Sequence, residues 1–224
     1  MILIKKIFFT ILICSFLVGG ERIAVATKVI GSVEFIRGKD FSKSLKKGHI
    51  IESGDILKTK KGGFAAIIFI DDKSALKVKE NTELEIFGNN NNNQSIAKRI
   101  SLINGTVRAK VENQKNKDFI VQTSVSVASV KGTDFWVISD KSKGDSIIGI
   151  EGVIQLANKI SGEIIDIRKG ITGLSSNNGK LESFNTDPKT IPSDPSGDDT
   201  VNQKIRIELI DASGKKKILV IEYQ

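Results

Sequence analysis

The apolar residues of this chain follow the period of a β-strand nearly everywhere beyond its N-terminal apolar segment. Leu76 and Val78 alternate with lysines, and Leu84 and Ile86 alternate with glutamates. Successive side chains of a strand point to opposite faces, so each run has one apolar face and one polar face. Residues 64–70 are apolar at every position, which is typical of a strand covered on both faces. No stretch of useful length has a helical period, so the sequence predicts an all-β fold.

Turn signals divide these runs into many short strands. Asn104-Gly105 tolerates the positive φ angles of a tight turn, so it predicts a β-hairpin between its flanking apolar runs. Gly132 precedes another apolar run, and we expect a sharp turn there, at which a β-branched residue would be costly if φ is positive. The asparagine run at residues 89–93 predicts a solvated loop. Short strands at close spacing suit a solenoid-like β-roll, which we favour, or a β-sandwich.

Short motifs in a fixed order resemble the FecR family. The most specific are Gly132-Thr133 before an apolar run and Glu151-Gly152-Val153 after it. Each motif is weak alone, and their order carries the resemblance, which covers about residues 27–156. The other matching segments are Gly31-Ser32-Val33, residues 45–48, residues 54–59 with Gly54-Asp55 and Thr59, residues 64–74, in which Asp72 or Lys73 replaces an expected glycine, and residues 102–107.

The resemblance implies an exported domain that contacts other proteins, and it also favours the β-roll. In the family's regulators, one transmembrane helix separates a cytoplasmic anti-sigma segment from the FecR domain, which is a periplasmic sensor. In this chain the FecR-like region follows the N-terminal apolar segment almost directly. We therefore expect no anti-sigma segment and no direct control of a sigma factor.

Residues 1–26 have the pattern of a secretory signal peptide. Two lysines precede an uncharged apolar run at residues 7–18, and Ala24 and Ala26 fit an A-x-A cleavage site. The run is shorter than the roughly 20 residues that a membrane-spanning helix needs, and an uncleaved anchor is the alternative. Cleavage after Ala26 would remove Cys14, the only cysteine, so the mature chain would have no disulfide. We expect a periplasmic or secreted protein with no membrane span after cleavage.

Two units follow the FecR-like domain, which we expect at residues 27–175. Residues 176–203 contain all three prolines and are otherwise mostly small and polar, so they predict a linker. Residues 204–224 contain two alternating apolar runs and predict a β-hairpin. An isolated hairpin is marginal in water, so we expect it to pack on the domain through the face that carries Ile207.

The sequence offers little from which an active site could be built. His49 is the only histidine, and Ser53 and Asp55 are too near it along one turn to converge as a triad, so we expect a surface loop residue. There is no pair of cysteines or histidines to bind a metal, and no glycine-rich loop with the context of a phosphate site. We expect a non-enzymatic protein without a cofactor. The lack of clustered arginines and aromatic residues argues against nucleic-acid binding.

Two features are candidates for partner binding. The chain has a formal net charge of +8, and residues 28–61 hold nine basic and four acidic residues, which could attract an anionic surface. A solvated lysine-rich face is the interpretation we favour. Trp136 lies on the strand face opposite Phe135 and Val137, where it could stack on a sugar or contact a protein. We favour its burial under a second layer that includes the C-terminal hairpin or the asparagine loop. The lysines are Lys39, Lys43, Lys46, Lys47, Lys58, Lys60 and Lys61.

Two functions from different classes are consistent with these features. In the first, the protein is an interaction or sensing module of the cell envelope that binds a protein partner through strand edges or loops. In the second, it binds a cell-envelope glycan or an anionic surface through Trp136 and the lysines. The second function requires Trp136 and the lysines to share a face, and the first does not.

Overall fold

A computed structural model of the protein describes residues 20–89, 97–113, 118–195, 203–210 and 216–223. Most of these residues are in β-strands, and the one helix among them is the short 3-10 helix Pro188–Thr190, so the predicted all-β class is confirmed. The strands are β1 (Arg22–Ile30), β2 (Val33–Ile36), β3 (Lys43–Ser44), β4 (Ile50–Glu52), β5 (Asp55–Thr59), β6 (Phe64–Phe69), β7 (Ala75–Val78), β8 (Glu83–Asn89), β9 (Ala97–Val111), β10 (Phe119–Gln122), β11 (Ser126–Val130), β12 (Thr133–Asp140), β13 (Gly144–Glu151), β14 (Val153–Asn158), β15 (Ile164–Arg168), β16 (Ile171–Ser175), β17 (Leu181–Asn185), β18 (Gln203–Ile210) and β19 (Lys216–Tyr223).

The first 17 strands are hydrogen-bonded into one sheet that divides into two sets joined through β9. The first set has the order β4-β1-β6-β7-β9-β12-β13-β16-β17. The second set has the order β3-β2-β5-β8-β9-β10-β11-β14-β15. Each of these pairs is antiparallel except β9 with β10. The chain passes repeatedly between the sets, so both sets grow together along the sequence.

The two sets bury their apolar faces in a single core. Phe69 and Leu76 from the first set share this core with Leu57, Leu84 and Ile100 from the second, and all five are fully buried. Burying each such side chain stabilises the fold by roughly 1.5–3 kcal/mol, so this core is the main source of stability. The solenoid-like β-roll and the sandwich alternative both stay predictions.

Strand β6 is buried at every position, which confirms the prediction of a strand covered on both faces. Ala65, Ile67 and Phe69 belong to the main core. Ile68 points to the opposite face, where it packs in a small second cluster with residues of β1 and β18. If this side of the sheet faced solvent, the outward side chains of β6 would be polar. Their apolar character therefore indicates that a second layer covers this side.

The predicted hairpin at Asn104-Gly105 is wrong. Both residues lie inside β9, a continuous strand of 15 residues. Gly105 has a φ of +110°, and a Cβ atom there would lie 2.6 Å from the Cα atom of Thr82. The backbone N–H of Thr106 donates to the Thr82 hydroxyl at 2.9 Å. The glycine therefore permits a close approach where β9 passes from one set of strands to the other.

Gly132 does not have the positive φ that would make a β-branched residue costly there. The glycines with positive φ include Gly152 at +79° but not Gly132. A Cβ atom on Gly152 would lie 2.6 Å from the carbonyl oxygen of Gly132, whereas a Cβ atom on Gly132 would come no nearer than 3.3 Å to Asn113. The turn that requires glycine is therefore the one between β13 and β14.

Strand β1 begins before the domain boundary that the sequence predicts at residue 27. Ala24 and Ala26, the two residues of the predicted cleavage motif, are fully buried with their neighbours Ile23 and Val25. Their backbone pairs with β4 and β6. The fold therefore includes the end of the predicted leader, and residues 1–19 of the leader lie outside the described residues, as do residues 90–93 of the predicted asparagine loop. Within the described ranges, no helix is long and apolar enough to cross a membrane.

The structure differs from the linker predicted at residues 176–203. Residues 181–185 form β17, which pairs with β16. The 3-10 helix that follows is capped by Asp187, whose side chain accepts from the backbone N–H of Lys189. The low apolar content of this segment predicted a linker. Hydrogen bonds between β16 and β17 and at the cap of the 3-10 helix nevertheless order these residues, although they form no core of their own.

Candidate functional site

The outer face of the first set of strands carries a compact group of charged side chains around Trp136. In register across neighbouring strands, Lys77 of β7 lies opposite Arg108 of β9, and Arg108 lies opposite Trp136 of β12. Asp134 precedes Trp136 by two residues and therefore shares its face. We call this surface the covered face, because a C-terminal segment lies over it.

Trp136 is almost completely buried, with 2% of its surface exposed. The Lys79 ammonium and the Arg108 guanidinium lie 5.9 and 5.8 Å from the centre of its ring, within the range of cation–π attraction. The sequence interpretation of Trp136 as an accessible contact for a sugar or a protein is therefore wrong for this structure. The burial that the favoured alternative expects is confirmed, but the segment that binds the cations beside Trp136 is residues 191–195 and not the hairpin or the asparagine loop.

Residues 191–195, which we call the strap, bind the cations of the covered face. The Asp194 carboxylate lies 2.6 Å from the Lys77 ammonium and 3.1 Å from the Arg108 guanidinium. Lys79 donates to the carbonyl oxygen of Ser193 at 2.9 Å. Arg108 also donates two hydrogen bonds, of 2.8 and 2.7 Å, to Asp134. These partly buried pairs are screened less by salt than exposed pairs, so they hold the strap on the domain.

The C-terminal hairpin of β18 and β19 forms as predicted and lies on the same side of the domain. Ile207 packs with Val25 and Ile68, and Ile50 and Ala75 lie against this cluster. This confirms the predicted packing for Ile207, and the other side chains of its face lie outside the described residues. The hairpin thus supplies the second layer that the apolar outer positions of β1 and β6 require, and the strap binds side chains of β7 and β9.

The opposite face of the hairpin carries two exposed aliphatic side chains, Ile218 and Val220, with 55% and 48% of their surface exposed. They are two residues apart on β19 and share a face. The hairpin pairs with none of the other strands that the structure describes. One face of the hairpin therefore packs on the domain, and the other presents apolar side chains to solvent.

The seven lysines that the sequence proposes for partner binding do not converge on one site. Three of them are paired with acidic residues, and Lys39, Lys46, Lys47 and Lys61 are exposed. The ion pairs are Lys43–Asp40 at 2.7 Å, Lys58–Glu83 at 2.8 Å and Lys60–Glu34 at 3.7 Å. Lys43 and Lys58 lie on strands of the second set, whereas Trp136 lies on the outer face of the first. The shared face that the glycan alternative requires is therefore missing.

A buried ion pair lies at the Gly54-Asp55 motif. The Asp55 carboxylate is fully buried and accepts hydrogen bonds of 2.8 and 2.7 Å from Arg37 and one of 2.9 Å from the backbone N–H of Glu52. Arg37 also pairs with Glu52 at 2.8 Å. The hydrogen bond with Asp55 raises the pKa of Arg37, so the guanidinium stays charged. This cluster fixes the β4–β5 turn and is structural.

His49 lies beside this ion pair in the loop before β4, as predicted, but it is half-buried and not a fully exposed surface residue. Its ring centre is 4.1 Å from that of Phe35, and burial, with a smaller effect of the Arg37 charge, lowers the pKa of His49 below 6.5. The Ser53 hydroxyl accepts from the backbone N–H of Gly88, and Asp55 is held by Arg37. These side chains therefore do not form a triad.

Two further buried polar groups have structural partners, whereas the Thr133 hydroxyl and Nε2 of His49 are buried without a hydrogen-bond partner among the described residues. The hydroxyls of Thr123 and Ser126 donate to the buried carboxylate of Asp145. Asn158 donates to the Ser175 hydroxyl at 2.8 Å. Within the described ranges, no group of three His, Cys, Asp or Glu residues is placed to hold a metal ion.

Comparison with known proteins identifies the module. Residues 55–155 match the model of a protein family described as FecR protein. The resemblance is confirmed, and the chain contains a FecR domain. A search of curated proteins finds no match.

Two crystal structures of a protein from Parabacteroides distasonis, provisionally described as an anti-sigma factor, are similar to this structure, each with a TM-score of 0.50 and 15% sequence identity. The match covers 60% of this chain and 61% of that one, so this chain spans about three fifths of the length of that protein. At this identity the likeness concerns the fold alone.

Proposed function

We propose that this protein is a non-enzymatic FecR-domain module that senses or transmits by binding a protein partner in the cell envelope. The FecR match and the fold shared with a protein described as an anti-sigma factor support a regulatory role. The lysine-flanked apolar run near the N-terminus supports export to the periplasm or secretion.

The observation that carries this proposal is the exposed face of the C-terminal hairpin. Ile218 and Val220 present a continuous aliphatic strip, although their hairpin is already docked through Ile207. In backbone register they lie opposite Glu208 and Arg206. Exposed aliphatic side chains of this kind form the apolar centre of protein interfaces. A partner strand could also pair with an edge of the hairpin, as in strand addition.

The predicted cleavage after Ala26 needs revision, because the mature protein needs the whole of β1 to have this fold. That cut would remove Ile23 to Ala26, whose side chains are fully buried. We propose that processing occurs before Arg22, where β1 begins. The intact mass of the native protein tests this, because a mature chain that starts at Thr27 would contradict it.

We also propose the β-roll form of the fold. The alternation of the chain between two sets of strands supports it, since a roll adds successive segments to opposite faces of one core. A roll leaves the C-terminal segment at the outer face, where it can meet a partner without disturbing the core.

The partner hypothesis is tested by capture from the envelope fraction, with two matched double variants. Ile218→Ser/Val220→Ser removes the exposed strip, and Val153→Ser/Ile160→Ser removes two equally exposed aliphatic residues elsewhere. We expect one reproducible protein partner that is lost with the first variant and kept with the second. Equal retention by both variants, or no partner for the wild-type protein, would contradict the proposal.

A further inference from the structure

The loop between β2 and β3 presents an aromatic side chain to solvent. Phe41 is 92% exposed, the highest value among the large apolar residues that the structure describes. Gly38 enters the loop with a φ of +58°, and the backbone N–H of Asp40 donates to the carbonyl oxygen of Arg37 at 3.0 Å. Residues 38–47, which we call the Phe41 loop, therefore hold a ring that contributes nothing to the core.

Basic residues lie before and after Phe41 in the sequence of this loop. Lys39, Lys46 and Lys47 are exposed, and none of them has an ion pair within the part of the chain that the structure describes. Lys43 pairs with Asp40 at 2.7 Å, and both side chains are more than half exposed. Four lysines and one aspartate give the loop a net charge of +3.

We propose that the Phe41 loop binds an anionic lipid surface, with the ring of Phe41 at the boundary of the acyl chains and the lysines among the lipid phosphates. In proteins that bind the membrane surface, Phe, Trp and Leu side chains insert at this boundary, and basic residues close to it are attracted by the negative surface potential. Protein-binding hot spots lie instead in packed pockets near the centre of an interface, whereas Phe41 is at the tip of a charged loop. Phe41 is the only strongly exposed large apolar residue of its loop, whose residues are all described. Charge complementarity therefore favours a lipid surface as the occupant.

The lysines and the Phe41 ring each contribute to vesicle binding by a different amount. Each lysine close to an anionic surface strengthens binding by about fivefold. Removal of the inserted ring should weaken binding by about tenfold or more. Binding should also fall with ionic strength, because exposed charges are screened beyond about 10 Å at 0.1 M salt.

The experiment is co-sedimentation of the full chain with vesicles of phosphatidylcholine, with and without phosphatidylglycerol. The difference between the two vesicle types is the measured quantity, because it removes any binding that does not depend on anionic lipid. Phe41→Ser is compared with Phe184→Ser, which removes an exposed ring on β17. The charge variant Lys39→Gln/Lys46→Gln/Lys47→Gln is compared with Lys141→Gln/Lys143→Gln/Lys169→Gln, which removes the same charge from exposed lysines elsewhere.

We expect preference for the anionic vesicles, about a tenfold loss with Phe41→Ser, a larger loss with the loop lysine variant, and little change with Phe184→Ser. The proposal is overturned if the chain shows no preference for anionic vesicles, or if Phe41→Ser binds like the wild-type protein. Equal losses with both lysine variants would mean attraction by net charge alone, and would also overturn it. Crosslinking of the loop to an acidic envelope protein, without vesicle binding, would identify a protein interface instead.

Discussion

Replacing Asp55 by Ala should destabilise the domain strongly, because this carboxylate is fully buried and paired. It accepts two hydrogen bonds from Arg37 and one from the backbone N–H of Glu52. Removing one partner of a buried ion pair costs about 3–5 kcal/mol when the other charge stays buried. Arg37 is one-third exposed and keeps its pair with Glu52, so we expect a loss of about 2–3 kcal/mol.

The assay is thermal unfolding followed by circular dichroism. For a domain of this size, a loss of about 2–3 kcal/mol lowers Tm by roughly 5–10 °C. Asp40→Ala is the matched control, because Asp40 also pairs with a cation but is more than half exposed, and it should leave Tm nearly unchanged. Arg37→Ala should cost at least as much as Asp55→Ala, because it leaves the buried carboxylate without its cation. Equal Tm values for the Asp55 and Asp40 variants would refute the reasoning.

Three further predictions concern other parts of the fold. Gly152→Val should lower the urea midpoint far more than Gly132→Val, because only Gly152 has a positive φ; equal midpoints would contradict this. Ile207→Ala should destabilise the protein by about 1–3 kcal/mol in a urea melt, whereas the exposed Ile218→Ala should have almost no effect, and the reverse order would exclude the observed docking. The lowered pKa of His49 means that the unfolded chain binds the proton more readily, so stability should fall as pH drops below 6.5; a His49→Gln variant with the same pH dependence would show that another group is responsible.

The all-β class of the fold could be predicted from the sequence, because the alternation of side chains that indicates a strand is a local pattern. The alternation at Leu76 and Val78, and the continuous apolar run that forms β6, correspond to strands with the expected burial. Glycine signals were less decisive. Positive φ at Gly105 was a sound expectation, but a local pattern does not distinguish a hairpin turn from a close approach to a residue such as Thr82.

The candidate site could not be predicted, because its contacts join distant parts of the chain. Asp194 lies 117 residues from Lys77 and 86 residues from Arg108, in a segment whose composition is that of a linker. The start of β1 was missed for a related reason. Ala24 and Ala26 fit a cleavage motif and are equally suited to a buried strand, and only their pairing with β6 separates the two interpretations.

Fluorescence of Trp136 tests most directly the central claim that the C-terminal segment is a layer of the folded domain. Trp136 is the only tryptophan, so its emission reports the covered face alone. We predict blue-shifted emission that resists acrylamide quenching in the full chain and after truncation at Pro195, which keeps the strap. Truncation after Thr190, which removes the strap, should shift the emission to the red and increase quenching while the β-type circular dichroism spectrum is kept. Solvent-like emission in the full chain, or emission unchanged by removal of the strap, would contradict the account.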